Sequence, residues 1–299
     1  MLLRGTIITA ILITAGGFIV DSPLKERLRS GEAQPAETEL RLAVEAETFS
    51  RETVAREIVD RSEAFASDHC LDALCPFGFE DPTTTHAHFT VGMDTTAKTA
   101  RWVAYSPSSE LMGETVETDH VWADDPSLPA GSMLEVRQGR EGFDYFMAEQ
   151  TLGYQRGHLA PHDLFAGSDS AKTLDYSSNI APLTEDLSQG AWKDLAERER
   201  ELAANREAGS LFSVAGTLHE GAMPPLPHAD EAHSVPSHVW KIVTEGSGTR
   251  YAAFVMPQNA DPAETACSYL ADVPGIEARS GLAFGLERAT ADPSLVGCG

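Results

Sequence analysis

The stretch GYQRGHLAP at residues 153–161 decides the fold, and SNIAP at 178–182 and LSQGAW at 187–192 follow it closely. If the first stretch begins as a strand, its side chains alternate between two faces, so Tyr154, Arg156 and His158 share one face. A histidine there can accept a proton from water while the neighbouring guanidinium binds a phosphate oxygen. The pattern therefore predicts half of a site that hydrolyses phosphodiester bonds.

A divalent cation should supply the other half, because it offsets the negative charge that builds up on the phosphate during attack. Magnesium prefers oxygen ligands and keeps most of its waters, so one side-chain oxygen on a nearby helix is enough to hold it. The segment LSQGAWKDLAERERELAANR at 187–206 has apolar residues Leu187, Leu195 and Leu202 on one side. We expect one helix over this segment, beginning beside the cation.

Short apolar segments elsewhere predict the rest of the domain. Five of them have the composition of strands: 88–91, 100–105, 211–216, 239–243 and 251–256. The last two flank Gly246, Ser247 and Gly248, which is a hairpin signal. Strands and helices mixed in this order indicate an α+β domain with a largely antiparallel sheet.

The net charge of the 299-residue chain is -24, with 46 acidic against 22 basic side chains. Such a field repels nucleic acid at long range, and a protein that neutralises phosphates needs local Lys and Arg. A local basic cleft would satisfy both conditions. An acidic, lysine-poor surface also suits a protein that works in salt, where charges are screened beyond about 8 Å.

The N-terminal region indicates export. Residues 5–20, GTIITAILITAGGFIV, form an apolar run behind Arg4. A helix that spans a membrane needs about 20 apolar residues, so this run is too short for one. Its length is typical of the core of a secretory signal. No A-x-A cleavage site follows, so residues 1–22 are predicted to be either a cleaved signal peptide or an uncleaved signal anchor.

Residues 23–66 are charged, rich in Ala and Glu, and carry apolar residues at roughly helical spacing. This pattern predicts a helical stalk or linker. Residues 67–299 remain as the main domain, which we expect to be periplasmic, membrane-anchored or secreted.

The four cysteines agree with an oxidising compartment. Four cysteines allow three pairings. We predict Cys70–Cys75, which closes a small loop, and Cys267–Cys298, which ties the last segment to the body of the protein. A zinc site of four thiolates is the alternative, but structural zinc usually shows tighter C-x-x-C pairs.

Further motifs add to the first three: WVAY at 102–105, WK at 240–241 and YAAF at 251–254. Together with the cysteines, these motifs make residues 86–298 resemble the DNA/RNA non-specific endonuclease family, which includes secreted bacterial nucleases and endonuclease G. The resemblance implies a central, mostly antiparallel sheet flanked by helices, with a ββα-metal, or His-Me finger, active site. It assigns the main domain at 67–299 as nuclease-like.

The resemblance carries three residues over directly. His158 matches the general base, Arg156 the arginine of the D-R-G-H signature, and Asn179 the asparagine of the S-N-I element, so these are the predicted catalytic residues. Two positions depart from the pattern. Gln155 occupies the place of the signature aspartate, and His120 falls where the bacterial branch has a phosphate-binding arginine; both stay candidates for substrate binding.

Two further departures concern the metal. Ser188 stands in place of the asparagine that ligates magnesium, and Ala196 in place of the glutamate that orients a metal-bound water. The serine hydroxyl is one bond shorter than the amide, so Ser188 is expected to reach the ion through a water. On a single helix Glu197 would point about 180° away from Ser188. Glu185 and Asp186, just before the helix, are therefore the predicted relocated ligands.

The spacing of His158 and His162 would suit two zinc ligands on a helix, but Pro161 argues against a helix there. Other histidines, including His219 and His238, have surroundings typical of solvated loops.

Two functions stay open. The first is an exported hydrolase, an endonuclease that uses Mg²⁺ or Mn²⁺ to cut DNA and RNA without strong sequence preference, impaired by the replaced metal residues. The second is a catalytically dead pseudo-nuclease that acts as a membrane-tethered binding or structural protein.

Overall fold

The computed structural model describes residues 69–70, 75–76, 82–113, 120–134, 152–206, 210–227, 229 and 232–299. The predicted signal segment at 1–22 lies outside these residues, as does the predicted stalk at 23–66. Within the described part, no helix combines the length and the apolar character needed to cross a membrane.

Ten strands lie in the described part of the chain: β1 (Thr83–Thr85), β2 (Phe89–Asp94), β3 (Thr99–Tyr105), β4 (Tyr154–His158), β5 (Ile180–Thr184), β6 (Leu211–Leu218), β7 (His238–Glu245), β8 (Arg250–Pro257), β9 (Leu270–Ala271) and β10 (Thr290–Ala291). Eight of them form one sheet in the order β1-β2-β3-β6-β7-β8-β10, with β9 also paired to β8. Every pairing in this sheet is antiparallel except that of β10 with β8. The predicted α+β class with a largely antiparallel sheet is confirmed.

The five predicted strands correspond to β2, β3, β6, β7 and β8, which form the middle of the sheet. Their side chains alternate between two apolar cores, so that in β3 Val103 and Tyr105 face one core while Trp102 and Ala104 face the other. The predicted hairpin joins β7 to β8, and Gly248 in its turn has a φ of 64°, a conformation that favours glycine.

Three α-helices lie in the described residues: α1 (Glu185–Gln189), α2 (Ala191–Ala204) and α3 (Val273–Ser280). Helix α3 covers one face of the sheet through Val273 and Ile276. Its first turn is capped by Asp272, whose carboxylate accepts from the backbone N–H of Gly275 at 2.7 Å. Helix α2 covers the other face, where Trp192 and Leu195 enter the larger core.

The single helix predicted over 187–206 is divided at Gly190, whose φ of -94° and ψ of -116° are not helical. A Cβ at this position would lie 2.4 Å from the backbone oxygen of Asp186, so the close turn requires glycine. The local composition favours helix on both sides of the break, which is why the sequence pattern did not reveal it. Ser188 and Ala196 consequently belong to different helices.

Strands β4 and β5 form a separate antiparallel pair in which His158 is opposite Ile180 and Arg156 is opposite Pro182. The extended conformation predicted for this stretch is therefore confirmed. Three short 3-10 helices connect the two strands: His162–Leu164, Ala171–Asp175 and Ser177–Asn179. Together with α2, this pair makes a ββα unit that carries Gln155, Arg156 and His158, whereas Ser188, Glu185 and Asp186 lie on α1.

Both predicted disulfide bonds are present, Cys70–Cys75 and Cys267–Cys298. All four cysteines are thereby paired, which excludes the alternative of a four-thiolate zinc site.

A buried ion pair joins α2 to the sheet. The Nζ of Lys241 on β7 lies 2.5 Å from Oε2 of Glu199 on α2, and both side chains are fully buried. Tyr105 and Ser213 donate further hydrogen bonds to the same carboxylate at 2.9 and 2.6 Å. Burial and the neighbouring Glu199 raise the pKa of Tyr105 well above its ordinary value, so its hydroxyl stays a donor. A buried positive charge and a buried negative charge are tolerated in the core only because the two groups pair with each other.

We expect Lys241→Met to lower the free energy of unfolding by about 3–5 kcal/mol, because it leaves Glu199 charged and unpaired inside the core. Urea denaturation followed by circular dichroism measures this change. Arg279→Ala is the matched control: it breaks a partly exposed pair with Glu220, which should cost about 0.2–1 kcal/mol. Equal losses in the two variants would contradict the role given to the buried pair.

Candidate active site

A cavity of about 320 Å³ opens where β4, the start of α2 and residues 120–122 meet. Arg156 and His158 line it together, but the predicted separation of the two faces of β4 holds only in part. Tyr154 does not reach it, because its ring is buried in an apolar cluster with Ile180. Gln155 also lines the cavity, where its amide oxygen accepts from Nε2 of Gln189 at 2.8 Å.

Helix α2 fixes the backbone beside His158. The indole N–H of Trp192 donates to the carbonyl oxygen of His158 at 3.0 Å. The same indole makes a cation–π contact with the buried ammonium of Lys241, which lies 4.6 Å from the ring centroid. The position of His158 therefore depends on the ion pair that holds α2 to the sheet.

Asp175 organises the imidazoles of the cavity. Its Oδ1 accepts from Nε2 of His158 at 3.0 Å and from Nδ1 of His120 at 2.9 Å. Its Oδ2 accepts from the backbone N–H of Val121 at 2.8 Å. Burial would raise the pKa of Asp175, but the hydrogen bonds from His120 and His158 hold that pKa well below its ordinary value. The carboxyl group is therefore ionised at neutral pH.

An ionised carboxylate can only accept hydrogen bonds, so Nε2 of His158 must carry the hydrogen atom. In the neutral ring the second nitrogen, Nδ1, is then the acceptor. The same carboxylate raises the pKa of His120 through its hydrogen bond. The cavity thus contains one imidazole that can accept a proton and one that holds its proton to higher pH than a free histidine.

Asn179 has a different place from the one predicted. It is fully buried, its Oδ1 accepts from the backbone N–H of Ala160 at 2.8 Å, and its Nδ2 donates to the carbonyls of Ala160 and Leu174 at 3.0 and 2.9 Å. All of its amide groups are occupied by backbone, so it cannot contact a substrate. Asn179 is a positioning residue that holds the chain just after His158.

The fixed charges of the cavity are much less acidic than those of the whole chain. Arg156, Lys193 and Arg200 line it against two acidic side chains, Asp163 and Glu197. The guanidinium of Arg156 also lies 5.4 Å from the ring centroid of Trp122, beside the imidazoles. With the ionised Asp175 behind the imidazoles, the basic and acidic side chains are equal in number, so the cavity is nearly neutral within a strongly acidic protein.

Residues 72–291 match the family model described as DNA/RNA non-specific endonuclease. The chain belongs to this family. A nuclease of Serratia marcescens is 34% identical over 222 residues, which cover 72% of this chain and 79% of the relative. The crystal structure of the EndoG/EndoGI complex includes a chain with the same fold, at a TM-score of 0.56 and 18% identity, covering 72% of this chain and 89% of that one.

The endonuclease family pattern places a magnesium-binding asparagine where this chain has Ser188. Both Ser188 and Ala196 line the cavity. A hydroxyl and a methyl group there replace the amide and carboxylate oxygens that the resemblance implies. The two oxygens that the resemblance implies are therefore missing from these positions, and the oxygen atoms that remain on the cavity wall belong to other side chains, among them Asp163 and Glu197.

The predicted relocated ligands do not repair this loss. Glu185 and Asp186 are exposed and lie outside the cavity wall. Glu197, expected to point away from Ser188, does line the cavity. The reason is the break at Gly190, which changes the direction of the chain between α1 and α2.

Two members of the cavity were not assigned by the sequence. Asp175 lies seventeen residues after His158, and no local pattern shows that it returns to that ring. Its only signal is that an acidic residue directly precedes the motif YSSN at 176–179. His162, which entered the predictions only through the rejected zinc spacing with His158, is buried and lines the cavity. It begins a 3-10 helix after the extended Pro161, which agrees with the rejection of an α-helix here.

We expect Asn179→Ala to destabilise the protein by about 1–3 kcal/mol, because it leaves backbone groups of Ala160 and Leu174 buried without partners. Thermal unfolding measures the loss. Asn205→Ala serves as the control, since that amide makes an exposed hydrogen bond to the carbonyl of Glu201 and should matter little. A variant as stable as the wild type would show that the Asn179 amide does not support this segment.

Proposed function

We propose that this protein is an exported endonuclease that hydrolyses phosphodiester bonds of DNA and RNA, with His158 as the general base. The observation that carries the proposal is the hydrogen bond from Nε2 of His158 to the ionised Asp175. It leaves Nδ1 as the acceptor on a ring that lines an open cavity beside a guanidinium.

In the proposed reaction, Nδ1 of His158 accepts a proton from a water molecule as the water oxygen attacks phosphorus. The bond from phosphorus to the leaving sugar oxygen breaks, and that oxygen takes a proton from solvent. Asp175 stabilises the imidazolium that forms, because its negative charge lies 3.0 Å from Nε2. Arg156 binds a non-bridging phosphate oxygen, and protonated His120 adds positive charge on the same side of the cavity.

Both DNA and RNA are proposed as substrates because the residues that would contact them recognise phosphate and not a base. Charge neutralisation of this kind carries no sequence information. The three basic side chains of the cavity would act at short range, and salt would weaken the repulsion from the acidic remainder of the chain.

Export is supported by the two disulfide bonds, which persist in oxidising compartments. The apolar run at 5–20 supports it from the sequence. A periplasmic, a membrane-anchored and a secreted form are all compatible with this proposal.

We expect His158→Ala to lower plasmid and RNA cleavage by about 10²–10⁴-fold, the usual contribution of a general base. Asp175→Asn should lower it by about 10²-fold or more, because a neutral amide no longer fixes the tautomer of His158. Gel assays with Mg²⁺, with Mn²⁺ and with a chelator measure these effects.

His238→Ala is the control for these assays, because that histidine lies on β7 outside the cavity. Cleavage that survives in His158→Ala would contradict the assignment of the base. If the folded wild type cleaves neither nucleic acid with either ion, the alternative of a pseudo-nuclease takes its place.

The double variant Ser188→Asn with Ala196→Glu should raise magnesium-dependent cleavage, because it restores an amide and a carboxylate oxygen to the cavity wall. The measurement is the cleavage rate at increasing Mg²⁺, with the single variants as controls. A folded double variant with no gain would mean that the replaced oxygens do not limit the reaction.

A further inference from the structure

We propose that His120, His158 and Asp175 form a binding site for a divalent transition metal ion, with Zn²⁺ as the probe, and that the bound ion turns the nuclease off. Among the described residues, the ligand atoms of these three side chains all lie within 4.8 Å of one another. The inhibitory part rests on the proposed role of His158 as a base, whereas the binding site does not.

Two of the three distances between the ligand atoms are close to those around a tetrahedral ion. Ligand atoms around Zn²⁺ are about 3.3 Å apart when the metal–ligand distances are about 2.0–2.1 Å. The shared Oδ1 of Asp175 lies 2.9 Å from Nδ1 of His120 and 3.0 Å from Nε2 of His158. An ion bound to all three atoms would need these two pairs to separate by a few tenths of an ångström, and the two nitrogens, which lie within 4.8 Å of each other, to be about 3.3 Å apart.

The distance between the two imidazole rings also agrees with a tetrahedral ion. Two histidines bound to one tetrahedral zinc ion have ring centroids about 5.2 Å apart, given a metal–nitrogen distance of about 2.05 Å. The centroids of His120 and His158 are 5.3 Å apart. The backbone N–H of Val121 holds the second oxygen of Asp175 at 2.8 Å, which is the kind of outer hydrogen bond that orients a metal ligand.

A third imidazole borders this site. The ring of His162 lies 5.3 Å from that of His120 and 6.0 Å from that of His158. Its Nδ1 is buried and makes no hydrogen bond to any described residue, and the side chain lines the same cavity. The polar groups around the three ligands therefore are not all satisfied by the protein alone.

The donor set selects the class of ion. Two imidazole nitrogens and one carboxylate oxygen suit Zn²⁺ and its transition-metal neighbours, whereas magnesium favours oxygen ligands and its own waters. The site is thus distinct in chemistry from the position of Ser188.

Inhibition follows from the two nitrogens of His158. When Nε2 carries a hydrogen atom and donates it to Asp175, Nδ1 has the lone pair that accepts a proton from water. When Nε2 binds a metal ion, the neutral ring must carry its hydrogen atom on Nδ1, and the base is lost. The bound ion also neutralises the carboxylate of Asp175, which would otherwise stabilise the imidazolium.

The first experiment measures binding without activity. Chelator-stripped full-length protein is titrated with Co²⁺, whose visible absorption reports tetrahedral nitrogen and oxygen ligands, and Zn²⁺ is then added as competitor. We expect one Co²⁺ per chain, displaced by Zn²⁺. His120→Asn should weaken affinity by about 100-fold or more, since loss of even an outer partner costs about 10–100-fold; His238→Asn should bind as the wild type does.

Circular dichroism confirms that His120→Asn is folded before it is compared. No stoichiometric binding by the wild type, or unchanged affinity in His120→Asn, would overturn the site. These results do not depend on cleavage, so they separate this proposal from the failure of the nuclease assignment.

The second experiment measures plasmid cleavage at increasing Zn²⁺, with each protein normalised to its own rate in zinc-free buffer. Wild-type cleavage should fall to half at the Zn²⁺ concentration that half-fills the site, and the residual cleavage of His120→Asn should need about 100-fold more Zn²⁺. Equal inhibition of both proteins, or activation by Zn²⁺, would overturn the inhibitory role.

Discussion

The geometry of the candidate active site depends on the buried ammonium of Lys241. It neutralises Glu199 of helix α2 inside the core and lies against the indole of Trp192, whose N–H binds the carbonyl of His158. Strand β7, helix α2 and strand β4 are thus connected through polar contacts that tolerate little displacement, because an unpaired charge at this depth is costly. The ββα unit obtains a defined geometry from the sheet behind it.

A second carboxylate, that of Asp175, fixes the side chains that line the cavity. It binds both His158 and His120 through one oxygen, so the protonation and orientation of the two rings are coupled. In a chain with a net charge of -24, this acidic residue is neutralised locally by the groups that it orients. A strongly acidic chain and a cavity that carries three basic side chains are therefore compatible, because the charges of the cavity are arranged independently of the total.

The sequence predicted the fold more completely than the site. Alternation along the strands and the hairpin at Gly248 are local properties, and they determine the sheet. The division of the helix at Gly190 was missed because both flanking segments favour helix. Asp175 was missed because its contact with His158 is made by the tertiary fold. Asn179 was predicted to be catalytic because the spacing of a motif does not tell which way a side chain points.

The disulfide bond between Cys267 and Cys298 connects the C-terminal segment to a part of the chain that contacts helix α2. Next to one end of the bridge, the backbone N–H of Ala266 binds Asp194 of α2. Next to the other end, the carbonyls of Val296 and Gly297 accept from Arg198, one turn further along α2. Reduction of the bridge would therefore leave these hydrogen bonds alone to hold the C-terminal segment against α2.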